Sequence, residues 1–137
     1  MNTEGKNSIV WFNGEWNDGS KPIMSSMSQS YMHGSTIFDG ARAYKNSIPD
    51  LHKHCERLIN SSKIFGLSLP ISKEELIALC KEGVNYFEKD AELYVRPSIF
   101  CDEGFLIPEA KSSKLVITIF RAPMPSLEGF TAMLSSY

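Results

Sequence analysis

The stretch His33-Gly34-Ser35-Thr36-Ile37-Phe38-Asp39-Gly40-Ala41-Arg42-Ala43-Tyr44 gathers two glycines, two hydroxyl side chains, an acid and an arginine around a short apolar segment. If a helix begins after Gly34, a hydroxyl oxygen could accept a hydrogen bond from the unpaired N–H groups of its first turn. The positive end of the helix dipole would then favour an anion. From Ala41 the residues alternate as in a strand, which places Arg42 and Tyr44 on one face. The stretch therefore predicts either an anion-binding turn or an ordinary surface connection, and the local pattern favours neither.

The composition indicates one globular domain. The chain has 137 residues, of which 42% are hydrophobic and 22% charged, and its formal net charge is −2. Binders of nucleic acid or anionic membranes usually carry a clustered basic face, which this sequence lacks, so we expect neither partner. No apolar run approaches the roughly 18 residues of a membrane span, and the first seven residues are polar where a signal peptide would be apolar. We therefore expect a cytoplasmic protein.

The cysteines predict neither a disulfide framework nor a metal site. Cys55, Cys80 and Cys101 are odd in number and far apart, and each has apolar neighbours, which suits reduced thiols. On a helix His52 and His54 would point to nearly opposite sides, which argues against a metal centre or an activated thiol at this point. We expect no bound metal.

Local signals predict a hairpin and two helices. Asn13-Gly14 separates two apolar runs and is typical of a β-hairpin turn. The first helix should begin with Asp50 as its N-cap and run to Phe65. The second helix should begin at the capping box Ser72-Lys73-Glu74-Glu75.

Two strands are predicted in the second half of the chain. Leu93 to Phe100 alternates like a half-buried strand, with Tyr94, Arg96 and Ser98 on one face. Pro97 indicates an edge strand or a bulge. The apolar run at 115–120 predicts another strand, buried on both faces.

The chain contains four arginines, and three of them, Arg42, Arg57 and Arg96, lie off the predicted core stripes. Because arginine binds carboxylate or phosphate through two parallel hydrogen bonds, a site for an anionic small molecule is one interpretation. Surface ion pairs with the sixteen acids are the other. His33, beside Gly34, could belong to a local turn or line an active site.

Four motifs in order resemble the N-terminal domain of the class IV, fold-type IV pyridoxal-phosphate aminotransferases, typified by branched-chain amino-acid aminotransferase. The motifs are Val10-Trp11-Phe12-Asn13-Gly14-Glu15, the stretch from Gly34 to Tyr44, His54-Cys55-Glu56-Arg57-Leu58-Ile59-Asn60-Ser61-Ser62-Lys63-Ile64, and Tyr94-Val95-Arg96-Pro97. Their shared order and similar gaps make the match specific. The resemblance implies an α+β domain with an antiparallel sheet and two main helices.

The resemblance also implies a role for individual residues. Arg57 would bind the phosphate of pyridoxal 5′-phosphate. Phe38 would line the pocket for the substrate side chain, while Arg42, Tyr94 and Arg96 would hold the substrate near its carboxylate. The reaction would move an amino group from an amino acid, most simply a branched-chain one, to a 2-oxo acid.

Two departures from the branched-chain pattern leave the substrate open. His33-Gly34 stands where branched-chain enzymes usually have Tyr-Gly, and Asp39-Gly40 stands where they have Glu-Gly. We count His33 among the substrate-binding residues. Related enzymes that use D-amino acids or amines, and aminodeoxychorismate lyases, remain alternatives within the fold.

The resemblance implies a domain division as well. Residues 1–121 would form the N-terminal domain, 122–128 an interdomain linker, and 129–137 the first strand of a cofactor-binding domain that this chain does not complete. The lysine that carries the cofactor matches none of the lysines here, so we expect a fragment that is inactive alone. Such enzymes are homodimers whose subunits exchange a loop, here within 102–108. The alternative from another class is a non-catalytic α+β module that binds an anion or a partner protein.

Overall fold

An antiparallel sheet forms the centre of the computed structural model, which describes residues 7–124 and 128–135. Two long helices cover one of its faces. In chain order the elements are β1 (Ser8–Phe12), β2 (Glu15–Asp18), α1 (Gln29–His33), β3 (Thr36–Phe38), β4 (Ala41–Ala43), α2 (Leu51–Ile64), α3 (Lys73–Val84), β5 (Leu93–Cys101), a 3₁₀ turn (Ala110–Ser112) and β6 (Ser113–Arg121). The predicted α+β fold, with an antiparallel sheet and two main helices, is confirmed.

The strand order is β2-β1-β6-β5-β3, and β4 pairs with β5 on the same side as β3. The hairpin between β1 and β2 is confirmed: Asn13 and Gly14 form its turn with φ of 53° and 86°. Positive φ at both central residues gives a turn whose twist matches that of the flanking strands.

Pro97 interrupts the strand that lies beside it. Phe38 lies opposite Ser98, and Ala41 lies opposite Val95, so β3 and β4 keep a single register against β5. Between them Asp39 N donates to Pro97 O at 3.1 Å, but proline has no N–H to return the bond. The expectation of an edge position or a bulge at Pro97 was therefore wrong. β5 is central, and the proline breaks its neighbour instead.

The prediction of a helix after Gly34 is also wrong. The short helix α1 ends at His33, and Gly34 is its C-cap, with φ of 77° and its N–H donated to Ser30 O at 2.9 Å. Thr36 already belongs to β3, and Ser35 O accepts from Cys101 N. Pairing with β5 thus uses the backbone groups that a helix would have needed.

The two long helices follow their predicted patterns closely. In α2, Leu51, Cys55, Leu58 and Ser62 are buried as the stripe requires, whereas Phe65 is half exposed. Asp50 stands at the N-cap of α2, but its side chain makes no cap hydrogen bond and pairs with Lys53 instead. In α3, Ser72 Oγ accepts from Glu75 N at 3.1 Å, which confirms the side-chain cap.

The sheet has a helix face and an open face. Leu93, Val95 and Ile99 of β5 point into the core beneath α2 and α3, as predicted. Since side chains alternate along a strand, Tyr94, Arg96 and Ser98 lie on the open face. Ile23 and Met24 cover one end of that face, packing on an apolar cluster of Val10, Phe12, Phe100 and Val116.

The chain after β6 has no regular structure where it is described. The strand expected from Gly129 is not formed within 128–135, where Phe130, Met133 and Leu134 are exposed. A strand needs a hydrogen-bonded neighbour, and this segment pairs with none of the described strands. Residues 125–127 and 136–137 of the expected linker and strand lie outside the described residues. No helix within 7–124 or 128–135 is long and apolar enough to span a membrane.

Truncating Leu76 tests the core beneath the sheet. Leu76 of α3 is fully buried, so Leu76→Ala should lower the free energy of unfolding by about 2–5 kcal/mol. Ile64→Ala is the control, because that side chain is 88% exposed and its loss should cost under about 0.5 kcal/mol. Urea denaturation followed by circular dichroism gives both values, and equal losses would contradict this packing.

Candidate functional site

The uncovered end of the open face carries a cation stacked on an aromatic ring. The guanidinium carbon of Arg96 lies 4.0 Å from the centroid of the Phe38 ring, a close cation–π contact. Phe38 opposes Ser98, next to Arg96 along the open face, and is 53% exposed. Arg96 Nε is buried without a hydrogen-bond partner among the described residues. A buried charged donor without an acceptor is costly, so this position suits an anionic ligand.

A second arginine–aromatic pair lies beside the first. Arg42 and Tyr94 are directly opposite in the sheet, and the Arg42 guanidinium lies 5.7 Å from the centroid of the Tyr94 ring. Arg42 Nη1 also donates to Ala122 O at 2.6 Å, which ties the chain after β6 to this face. Phe120 packs on Tyr94 with ring centroids 5.3 Å apart.

The Tyr94 hydroxyl occupies the space above Gly40. A Cβ atom on residue 40 would overlap Tyr94 Oη and Cζ. Glycine at this position therefore lets the phenol lie flat against the interrupted edge strand. This is the close approach that gives Gly40 its structural role.

Arg57 lies on the other side of the same edge, bound to Asp39. Arg57 Nε donates to Asp39 Oδ2 at 2.6 Å, and Arg57 Nη2 donates to Asp39 Oδ1 at 2.8 Å. The ring nitrogen Nδ1 of His54 lies 2.8 Å from Asp39 Oδ1 and 3.0 Å from Arg57 Nη2. His54 and Arg57 are three residues apart on α2 and thus on one helix face. We call Asp39, His54 and Arg57 the Asp39 clasp.

The electrostatics of the Asp39 clasp favour its charged form. Burial alone would raise the pKa of Asp39, but hydrogen bonds and charge from Arg57 and His54 outweigh it and hold that pKa below its usual value. The same pair raises the pKa of Arg57. The Asp39 side chain is 5% exposed and that of Arg57 is 62% exposed, so the clasp fixes a surface cation on a buried anion.

The structure brings four of the six predicted site residues together. Phe38, Arg42, Tyr94 and Arg96 share the open face, on three adjoining strand segments. Arg57 lies at the same edge but on the helix side, where Asp39 joins it to the strand.

His33, the sixth predicted site residue, lies at the end of α1. Its ring packs edge-on against Phe105 of the loop after β5, with centroids 6.3 Å apart. Within the described part of the chain, no ring contact or side-chain hydrogen bond links His33 to the other five.

Sequence reasoning missed Asp39 and His54 as members of the site. The available signal was the spacing of His54 and Arg57 on one helix face, together with an acid beside Gly40. Nothing local indicates that β3 and α2 meet, because that contact comes from the pairing of the whole sheet. No group of three histidine, cysteine or acidic residues suited to a metal occurs in 7–124 or 128–135.

The sequence model for the family "Amino-transferase class IV" matches residues 36–129, more than half of the chain. This segment contains Phe38, Arg42, Arg57, Tyr94 and Arg96. The chain therefore belongs to the class IV aminotransferase family.

Individual relatives agree with this assignment. The chain is 30% identical over 150 residues to the branched-chain-amino-acid aminotransferase of Escherichia coli K12, covering 98% of this chain and 47% of that protein. It is 26% identical over 139 residues to the probable branched-chain-amino-acid aminotransferase of Rickettsia bellii, covering 99% of this chain and 48% of that protein. The crystal structure of an aminotransferase from Brucella abortus bound to PLP superposes with a TM-score of 0.89 at 32% identity, over 96% of this chain and 48% of that one. The chain thus spans about half the length of these relatives.

The Asp39 clasp predicts an acid-dependent loss of stability. Because the folded-state pKa of Asp39 lies below 3.8, the ionised carboxylate stabilises the fold at neutral pH. That stabilisation is lost as the pH falls below about 4 and through the folded-state pKa. Asp39→Asn should therefore be less stable than wild type by about 1–3 kcal/mol at pH 7, and the difference should shrink at pH 3.

Urea denaturation at the two pH values measures this difference. Asp50→Asn is the control, since Asp50 pairs with Lys53 on the surface and should change stability little at either pH. A wild-type advantage over Asp39→Asn that is the same at pH 7 and pH 3 would contradict the ionic role of Asp39.

Proposed function

We propose that the protein to which this chain belongs is a pyridoxal-phosphate-dependent aminotransferase that moves the amino group of a branched-chain amino acid to a 2-oxo acid. One observation carries the proposal: two arginines present unused donors at the same interrupted strand, Arg96 on the open face and Arg57 on the helix side. Amino acid and 2-oxo acid each have a carboxylate, and the cofactor has a phosphate. These are the anions that guanidinium groups bind best.

Arg57 fits the phosphate of pyridoxal 5′-phosphate. Its bonds to Asp39 use Nε and Nη2, and no described residue accepts from Nη1. The guanidinium is also largely exposed, so a phosphate can reach it. When bound, the cofactor supplies the carbonyl group that takes up the amino group and the ring that withdraws electrons from the reacting carbon.

The open face fits an amino acid with an apolar side chain. Arg96, which is partly exposed, would bind the substrate carboxylate through its guanidinium group. Phe38 would form the apolar wall, and its ring keeps the Arg96 guanidinium oriented by stacking. Tyr94 and Arg42 would complete the carboxylate side, with the Arg42 orientation fixed through Ala122 O. His33 remains a proposed substrate-binding residue.

The organisation of the whole protein follows from the same proposal. Residues 1–121 would be its N-terminal domain, 122–128 a linker and 129–137 the start of the cofactor-binding domain, which would supply the lysine. The exposed apolar segment 105–107 supports a homodimer in which this loop meets the partner subunit. The three free, buried cysteines support a reducing location such as the cytoplasm.

Two arginine substitutions should separate substrate from cofactor binding in the whole protein. Arg96→Lys loses the planar fork and should raise KM for the branched-chain amino acid about tenfold or more, with little change in pyridoxal 5′-phosphate affinity. Arg57→Lys should instead lower the affinity for pyridoxal 5′-phosphate and leave KM for the amino acid largely unchanged. Steady-state kinetics and cofactor titration give the two values.

Arg121→Lys is the matched control, because Arg121 pairs with Glu88 away from the open face. An Arg96→Lys protein with unchanged KM would contradict the carboxylate site. Turnover of D-amino acids or amines in preference to branched-chain amino acids would replace the proposed substrate but keep the reaction class.

A polypeptide limited to these 137 residues should show no transamination, because the proposed lysine lies elsewhere. The assay supplies pyridoxal 5′-phosphate, leucine and 2-oxoglutarate and measures glutamate formed. Glutamate formation above a protein-free blank that survives repurification would contradict the proposal that the catalytic lysine lies outside these 137 residues.

A further inference from the structure

Within the Asp39 clasp, the carboxylate holds only one edge of the Arg57 guanidinium, and His54 Nδ1 lies 3.0 Å from Nη2. A guanidinium has five N–H donors in one plane, and a carboxylate can bind along either the Nε–Nη2 edge or the Nη1–Nη2 edge. Here the carboxylate takes the Nε–Nη2 edge, with donor–acceptor distances of 2.6 and 2.8 Å. The Nη1 nitrogen is directed away from Asp39 and has no acceptor among the described residues.

The anion of the clasp is itself fixed. Asp39 N donates to Pro97 O, which holds its backbone against β5, and its side chain is 5% exposed. His54 Nδ1 lies 2.8 Å from the same carboxylate. An ordinary surface ion pair gains little because both long side chains remain mobile. In this pair Asp39 is buried and Arg57 is exposed, so the carboxylate restrains the orientation of the arginine.

We propose that Asp39 is a positioning residue for phosphate binding: it holds Arg57 by the Nε–Nη2 edge so that the Nη1 edge faces the cofactor phosphate, and both anions bind one guanidinium at once. The inference rests on the proposed function, which gives Arg57 the phosphate. It adds that the orientation of Arg57 is set before the phosphate arrives.

Two effects of Asp39 on phosphate affinity oppose each other. Orienting a long side chain in advance is worth about threefold to tenfold in affinity. The negative charge of Asp39 repels the phosphate and, close to solvent, costs a factor of about three. The charge acts on the phosphate directly, whereas the orientation acts only through Arg57, so a double-mutant cycle separates them.

The cycle uses the whole protein with pyridoxal 5′-phosphate and pyridoxal as probes. The affinity ratio of the two compounds isolates the phosphate. Asp39→Asn should lower this ratio in the Arg57 protein, relative to the same substitution in the Arg57→Lys protein, by about threefold to tenfold. Asp50→Asn is the control and should leave the ratio unchanged. Equal effects of Asp39→Asn in both backgrounds would overturn the positioning role.

An NMR measurement tests simultaneous binding in the wild-type protein. The Arg57 Nε–H signal, assigned with Arg57→Lys, should be visible in wild type and Asp39→Glu and lost in Asp39→Asn. Adding pyridoxal 5′-phosphate should leave the wild-type Nε–H signal visible, since that edge stays on Asp39. Loss of the signal on addition, or a through-hydrogen-bond coupling from the cofactor phosphorus to Arg57 Nε, would mean that the phosphate displaces Asp39 and would overturn the inference.

The outcomes keep the two proposals apart. If Arg57→Lys leaves the affinity ratio of pyridoxal 5′-phosphate to pyridoxal unchanged, Arg57 does not bind the phosphate. The proposed function of this residue then fails together with the inference. If Arg57→Lys lowers the ratio but the cycle shows no coupling to Asp39, the phosphate role stands and the inference alone is overturned.

Discussion

The N–H group that Pro97 lacks determines how the candidate site is built. Because the ladder between β5 and its neighbour cannot close there, one strand becomes two, and Asp39 and Gly40 lie at the break. Asp39 turns its carboxylate towards α2, while Gly40 leaves room for Tyr94 on the opposite face. Both halves of the candidate site therefore depend on one missing hydrogen bond between β5 and the edge strand.

The sheet separates two arginine environments of different character. On the open face, Arg96 and Arg42 lie over aromatic rings, and one of their donors is buried without a partner. On the helix side, Arg57 is exposed but held by a buried carboxylate. Stacking orients the first pair without neutralising it, whereas the ion pair orients the second and neutralises part of its charge.

Short-range patterns predicted the elements of this fold, and long-range pairing determined the rest. The Asn13-Gly14 turn, the Ser72 cap and the alternation of β5 depend on neighbours within a few residues, and the structure confirms them. The role of Gly34, the break at Pro97 and the Asp39 clasp depend on contacts between distant segments, and sequence reasoning missed them. Family resemblance proposed Arg57 and Arg96 as binding residues, but did not indicate the acid that pairs with Arg57.

The contact between Gly40 and Tyr94 makes these two positions interdependent in any protein with the same strand register. A side chain at residue 40 would need the space of the phenol, so a bulkier residue there requires either a displaced Tyr94 ring or a smaller residue at position 94. The two positions are 54 residues apart in sequence yet share one volume. Variation at one of them should therefore be read together with the other when pocket shapes in this family are compared.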